Sequence, residues 1–564
     1  MNRVLNCLLA LCCAACSANL SGPAAGLNNV KRPKATLLLY NGRIFTSEDD
    51  QRVVSALAIA GDRILAAGSL EQLQGDLDDR TRRIDLKGRF VAPGFHDAHL
   101  HLQSAGRMLT GLNLARTKTL EAAVDAVAQR VKTTPEGQWI YGRGWDHTLW
   151  TDGRWPTRHD LDRVAPNHPV YLRRVDGHVA WANTAALTRA KIGRETPDPD
   201  GGVIERESGG QPSGLLKENA IELIKPEISL AQARDQLSRA LNRARRLGVT
   251  SIQDGGSDIE ALIALRRDGQ LTARVFAWGE LDQPLEKSEA LRRQIGTSDG
   301  FLVFGALQGF VDGTLGSQTA ALLEPYADGG KDCARNGCRG MLLTAEDLLL
   351  RRVKQAARSG FQVALHAIGD RAVEIALKAF AAAKYGPDGK PLRHRVEHAQ
   401  VIAPTQIERF RQTETIASMQ PCHFITDQRW VEKRLGTMRA RERGYVWRSL
   451  LRAGVPLALG TDWPVEPLSP LRNLYAAVTR NTWPAGPRGL FEHETLTVGQ
   501  ALHAYTYGSA YSAGVEMLRG RLIANMDADL VVLDRDLLKI DPKELPQVEV
   551  LATMVGGRLV YGQF

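Results

Sequence analysis

FVAPGFHDAHLH, residues 90–101, opens on an aliphatic run, turns at Pro93-Gly94 and closes on two histidines separated by one residue. Alternate residues of a strand project to the same face, so His99 and His101 can present two imidazoles to one ion. A stray His-x-His is more often a capping or surface pair. This one gains weight from its place after a turn and at the end of a hydrophobic run. Seven later runs are built alike and several end on His, Asp or Gln: GVTSIQD (248–254), TARVFAW (272–278), FGALQGFVDG (304–313), FQVALHAIGD (361–370), HRVEHAQ (394–400), TIASMQP (415–421) and VPLALGTDWP (455–464). They alternate with helical stretches such as 230–247 and 345–359, which have Ser229 and Thr344 as N-caps and Gly248 and Gly360 as stops. The alternation predicts an α/β fold with a parallel sheet, read here as a TIM-type barrel with its chemistry at the C-terminal ends of the strands. A doubly wound open sheet shares this periodicity.

His366 and His398 also close apolar runs, and Asp462 follows LALGT in the last one. Singly, each reads as a hydrogen-bonded core or capping residue. Together they make a candidate site. Outside the barrel runs, residues 36–90 (LLLYNGRIFT, ALAIAGDRILAAG, RRIDLKGRFV) and 518–564 (GRLIANMDADLVVLD, VLATMVGGRLVYG) are β-rich and punctuated by Asn-Gly, Gly-Asp and Lys-Gly turns. They predict one small β-domain made from both ends of the chain, with the barrel spanning 91–517. An insertion at about 138–225 holds five of the ten tryptophans (Trp139, Trp145, Trp150, Trp155, Trp181), which suggests a lid or pocket wall.

A length of 564 residues allows more than one folded unit, and 43% hydrophobic with 24% charged residues is ordinary globular composition. The net charge of +9 is interleaved with acids and forms no cationic run, which argues against nucleic acid as a partner. Residues 1–16 carry Arg3, then an uncharged stretch too short to span a bilayer. This fits a signal peptide, and Ala14-Ala15-Cys16 resembles a bacterial lipoprotein processing site with Cys16 as the lipidated residue, although Cys13 stands where Leu is usual. The expectation is an exported protein, periplasmic or lipid-anchored to a bacterial cell envelope, touching membrane only through that anchor. Cys333 and Cys338 bracket a turn and could form a loop disulfide.

PGFHDAHLH, LHAIGD, EHAQ and GTDWP, in this order, resemble the strand motifs of the amidohydrolase superfamily over nearly the whole mature chain. GRGWD (142–146), RVDGH (174–178), PSGLLKENA (212–220) and FVDGTLGSQTA (310–320) resemble its YtcJ-like branch, of the amidohydrolase 3 type, which includes N-substituted formamide deformylase. The resemblance implies a deformed (β/α)8 barrel, a small β-sandwich from both termini, and one or two divalent ions, most often zinc. It makes His99, His101, His366, His398 and Asp462 the metal ligands. An ion with an open position acidifies water, and Asp462 would take that water's proton and return it to the leaving nitrogen, with His398 as a ligand or acid.

Where many relatives have a carboxylatable lysine on the fourth strand, this chain has Gln308, four residues before Asp312-Gly313. That favours one ion over two, with Gln308 or Glu218 as a bridging substitute. Trp145, Asp146, His178, Asp312 and Gln420 are the expected substrate contacts. The functional expectation is hydrolysis of a non-peptide carbon-nitrogen bond, as in an amide, N-formyl or cyclic amide group, of a small-molecule substrate. The alternatives are a deaminase on the same scaffold and a catalytically inactive binding barrel. A homo-oligomer is left open.

Overall fold

Eight parallel strands run in chain order around one sheet: β1 (Phe95–Leu100), β2 (Val249–Gly255), β3 (Arg274–Glu280), β4 (Leu302–Phe310), β5 (Gln362–Ala367), β6 (Arg395–His398), β7 (Ile416–Met419) and β8 (Leu457–Leu459). They are seen in a computed structural model that describes residues 33–151, 153–225, 228–296, 299–329, 337–483 and 490–564. A doubly wound sheet would reverse its order at a switch point, and this sheet does not. The ring comes together where Asp462 N donates to His99 O at 2.7 Å and His101 N donates to Trp463 O at 2.8 Å. Every residue of β1 and β2 is buried, as expected of strands covered by side chains within and helices without.

The outer helices follow their apolar stripes. In Leu230–Arg245, Ala233, Leu237, Ala240, Leu241 and Ala244 are buried, and Ser229 with Gln232 forms a reciprocal capping box. Its neighbour Leu102–Thr110 packs closely enough that a Cβ on Gly106 would lie 1.8 Å from Gln236 O. The stretch expected from 345 forms Glu346–Arg358, but Thr344 is not its cap: the Thr344 hydroxyl donates to Phe310 O at 2.9 Å instead.

Both chain ends build the flanking β-structure. In a six-stranded sheet, Phe90–Pro93 lies between Arg43–Phe45 and Leu530–Leu533, and a four-stranded sheet from residues 37–85 adds Ile59 and Leu57 to the shared core with Ile44, Val532 and Met554. Phe90–Pro93 leads through Gly94 directly into β1, so this layer anchors the first metal-site strand.

The inserted unit is larger than its sequence suggested. Its six-stranded sheet begins at Leu112–Asn113 and ends at Pro212–Glu218, so it starts right after the first barrel helix instead of at about 138. The two-residue first strand and the helix Leu120–Val131 look like barrel material in the sequence. Trp145, Trp150 and Trp181 are buried in the insertion's own core, with Trp155 packed against it. They hold that unit together and do not wall the barrel. Among the described residues no helix is long and apolar enough to cross a membrane; Cys16 and Cys333 lie outside the described residues.

Candidate metal centre

The ends of β1 and β8 meet at one buried carboxylate. Asp97 accepts hydrogen bonds from Thr461 N (2.9 Å), Thr461 Oγ1 (2.8 Å) and Tyr505 Oη (2.7 Å), which fixes the loop after β8 against β1. Asp462 is thereby set beside the histidines: its Oδ1 lies 3.3 Å from His101 Nε2 and 3.6 Å from His99 Nε2. These lengths are long for hydrogen bonds. They suit the edges of a tetrahedron of donors bonded at about 2.0–2.1 Å, which measure about 3.3–3.4 Å.

The opposite ring nitrogens are occupied. His99 Nδ1 donates to Glu397 Oε2 at 2.8 Å and His101 Nδ1 donates to Gly255 O at 2.7 Å, leaving both Nε2 lone pairs directed at Asp462. Glu397 is itself paired with the fully buried Arg395, whose Nη2 also reaches Ala98 O at 2.7 Å and Ser418 Oγ at 2.8 Å. Burial pushes the Glu397 carboxyl up, but Arg395 and His99 outweigh it and hold it at about 2. For Asp462, too, burial opposes ionisation, and His101 and His423 hold it well below the usual carboxylate range.

A further histidine, His423, completes the arrangement and was not singled out from the sequence. It lies in Pro421–Asp427, the helix that follows β7, with Nε2 3.4 Å from Asp462 Oδ2. His398, at the end of β6, has its ring centroid 5.0 Å from that of His99, and its Nδ1 donates to Gln420 Oε1 at 2.9 Å. Two three-donor groups result, His99–His101–Asp462 and His398–His423–Asp462, sharing the carboxylate. Asp462 Oδ1 and His423 Nε2 are buried without a hydrogen-bond partner, which a cation would remedy. His398 (φ 71°) and Asp462 (φ 54°) both sit in the left-handed backbone region, strain that the surrounding packing must hold in place. Imidazole with a single carboxylate is a zinc-type donor set.

His366 joins neither group. Its Nε2 donates to Gly313 O at 3.1 Å, and its ring centroid lies 4.5 Å from His398 and 5.0 Å from His178. Burial, then the charge of His178, pulls it down to about 3, so it is a neutral imidazole. Gln308, on β4, uses its amide to bind Glu280 Oε1 on β3 at 2.6 Å. Burial holds that glutamic acid up at about 7.

A cavity of about 50 Å³, lined by His366, His398, His423 and Asp462, is also bounded by Asp176 and His178 from the insertion, Leu315 after β4, Trp430 and Glu466. Of the expected substrate contacts, His178 reaches it, held by Glu218 through a 2.6 Å Nδ1–H···Oε2 bond. The others are structural. Trp145 is fully enclosed and donates to Leu172 O; Asp146 pairs with Arg174 and Arg429; Asp312 accepts from Ala321, Ile368 and Gly369 backbone N–H groups; Gln420 orients His398. Glu218 serves His178 and lies outside both donor groups.

Comparisons with known proteins identify the family. The model of the amidohydrolase family matches residues 82–561. Over 93% of the chain, identity is 34% to the protein LONG AFTER FAR-RED 3 of Arabidopsis thaliana (92% of that protein), 33% to the putative amidohydrolase YtcJ of Bacillus subtilis (98%) and 28% to the N-substituted formamide deformylase of Arthrobacter pascens (98%). The crystal structure of an uncharacterized metal-dependent hydrolase from Pyrococcus horikoshii superposes with a TM-score of 0.72 at 29% identity, over 90% of this chain and 99% of that one. Similarity to an adenine deaminase of Sinorhizobium fredii reaches only 14% of the chain. With the donors converging at the ends of β1 and β8 in a barrel of this order, the chain belongs to the amidohydrolase family and is a metal-dependent hydrolase.

Proposed function

We propose that the protein hydrolyses a carbon-nitrogen bond, other than a peptide bond, in a small molecule bearing an amide, N-formyl or cyclic amide group. The observation that carries this reading is the meeting of His99, His101 and Asp462, with the Asp462 Oδ1 buried and unpartnered. A divalent ion bound there supplies Lewis acidity to a carbonyl and to a water. Asp462 then accepts the proton of the attacking water and returns it to the departing nitrogen. Glu397 and Gly255 O keep the histidine rings turned for ligation, and His178, fixed by Glu218, contacts the substrate from the insertion side. Val175, Leu315, Ile368 and Trp430 give the cavity apolar wall, which suits an apolar nitrogen substituent such as benzyl.

The test uses zinc-loaded full chain with N-benzylformamide, measuring formate and benzylamine; a parallel assay measures ammonia from adenine. Formate in equal amount to amine supports the reading. Ammonia without formate would replace it with deamination, and a folded protein that binds no metal would favour a binding barrel.

A further inference from the structure

We propose that Arg143 is a specificity-determining residue of this site and that the substrate carries a carboxylate, which the Arg143 guanidinium binds while the amide lies at the metal centre. The inference rests on reading the protein as an amide hydrolase.

The inserted strand Ile140–Trp145 delivers Arg143 by breaking its own alternation. In a regular strand Arg143 and Trp145 would share a face. The pairing with Val170–Arg174 shifts register between those two residues, and Gly144 takes φ 98°, a bulge that sends Trp145 into the insertion's core and leaves Arg143 directed at Val175 and Gly177. There Arg143 Nη2 donates to Val175 O at 3.1 Å, and the guanidinium lies so close to Gly177 that a Cβ on that residue would stand 3.1 Å from Nη2. Gly177 sits between Asp176 and His178, and these two with Val175 line the cavity. The motif GRGWD therefore brings a cation to the cavity wall, although Trp145 and Asp146 within it are structural.

What sets Arg143 apart is its lack of a counter-ion. The cations around it are matched: Arg173 by Glu222, Arg174 by Asp146 and Asp176, Arg429 by Asp146, and His178 by Glu218. Arg143 pairs with no carboxylate among the described residues; its Nε is buried without a partner, and its Nη1 makes no hydrogen bond among them. Burial and the charge of Arg173 pull it down to about 10, so it remains a cation at neutral pH, and the carboxylates that oppose this are Asp462, then Asp176, then Glu466, all of which border the cavity. The guanidinium thus lies within the field of the metal centre and is bonded to none of it. A carboxylate accepts paired N–H bonds from such a fork of donors and supplies the missing charge. With the apolar wall of Leu315, Ile368 and Trp430, the matching substrate is an amide whose nitrogen arm carries an aromatic group and a carboxylate together. N-formylphenylglycine, which is N-benzylformamide with a carboxylate on the benzylic carbon, has this form.

The experiment is titration calorimetry of the zinc-loaded full chain with N-(methylsulfonyl)phenylglycine and with N-benzylmethanesulfonamide, which differ only by the carboxylate and which amide hydrolysis does not consume. The wild type should bind the carboxylate about 10- to 100-fold tighter, and Arg143→Gln, with wild-type circular dichroism, should bring the two affinities within about threefold of each other. Equal affinities or no binding in the wild type overturn the proposal, and decide even if the variant does not fold. A preference that survives in Arg143→Gln overturns it too, because the ion alone then holds the anion. Formate release from N-benzylformamide, measured on the same preparation, decides the hydrolase reading separately. Formate without an Arg143-dependent preference removes only the carboxylate site, and the preference without formate removes only the hydrolase reading.

Discussion

Replacing Glu397 by Gln separates what holds the barrel from what tunes its ligands. Glu397 and Arg395 have 1% and 0% of their side chains exposed, and Glu397 also receives the His99 Nδ1–H. Glutamine keeps the volume and one acceptor oxygen, so the change is one of charge. Arg395 is left buried without its counter-ion, a loss of about 3–5 kcal/mol, toward the lower figure because its bonds to Ala98 O and Ser418 Oγ persist. His99 loses a charged acceptor behind its ring, which weakens metal binding about 10- to 100-fold, or about 1.4–2.8 kcal/mol. The first effect is read by urea unfolding of metal-free protein, the second by chelator competition for zinc. The folded-state pKa of about 2 is depressed. Its stabilisation is therefore present above the ordinary carboxylate range and lost as pH falls toward 2, and the variant's acid unfolding should be less steep. Zinc affinity within about twofold of wild type, alongside reduced stability, would refute the idea that Glu397 tunes His99 and leave it as a strand brace.

Asp462→Asn should abolish turnover of N-benzylformamide while circular dichroism stays unchanged; near-normal rates would remove Asp462 from proton transfer. Glu280 is raised to about 7 by burial. The metal-free protein should thus lose up to about 3 kcal/mol as pH rises from about 4.5 to about 7, and Glu280→Gln should flatten that slope in urea midpoints measured across the range. Trp145→Ala should destabilise the inserted unit by about 3–5 kcal/mol in urea unfolding with zinc content unchanged; a loss of zinc would mean the insertion core reaches the metal site.

The barrel and both of its end strands were legible because their signals are local: an aliphatic run followed by a polar residue marks a strand and the functional end of it at once. His99, His101 and Asp462 were visible for that reason. His423 was not, because it lies three residues beyond Gln420 in a new helix, and strand-end logic stops at the strand. Extending the search by one helical turn past each strand would have found it. Trp145 and Asp146 misled in the opposite way. Aromatic and acidic residues in an insertion look like substrate contacts until packing shows that Trp145 fills a separate core and Asp146 neutralises two arginines. Asp312 and Gln420 carry no sequence mark that distinguishes a backbone brace or a ring orienter from a ligand contact. The place of His366 depends on its bond to Gly313 O, which no motif states.

The seam between β8 and β1 joins residues that are 364 positions apart at Asp97 and Thr461, and the same seam carries His99, His101 and Asp462. The centre is therefore also a clasp on the ring. Contacts so distant in sequence form late, after most of the loop-closure entropy has been spent. An ion held by His99, His101 and Asp462 would tie the first strand of the cylinder to the loop that follows its last.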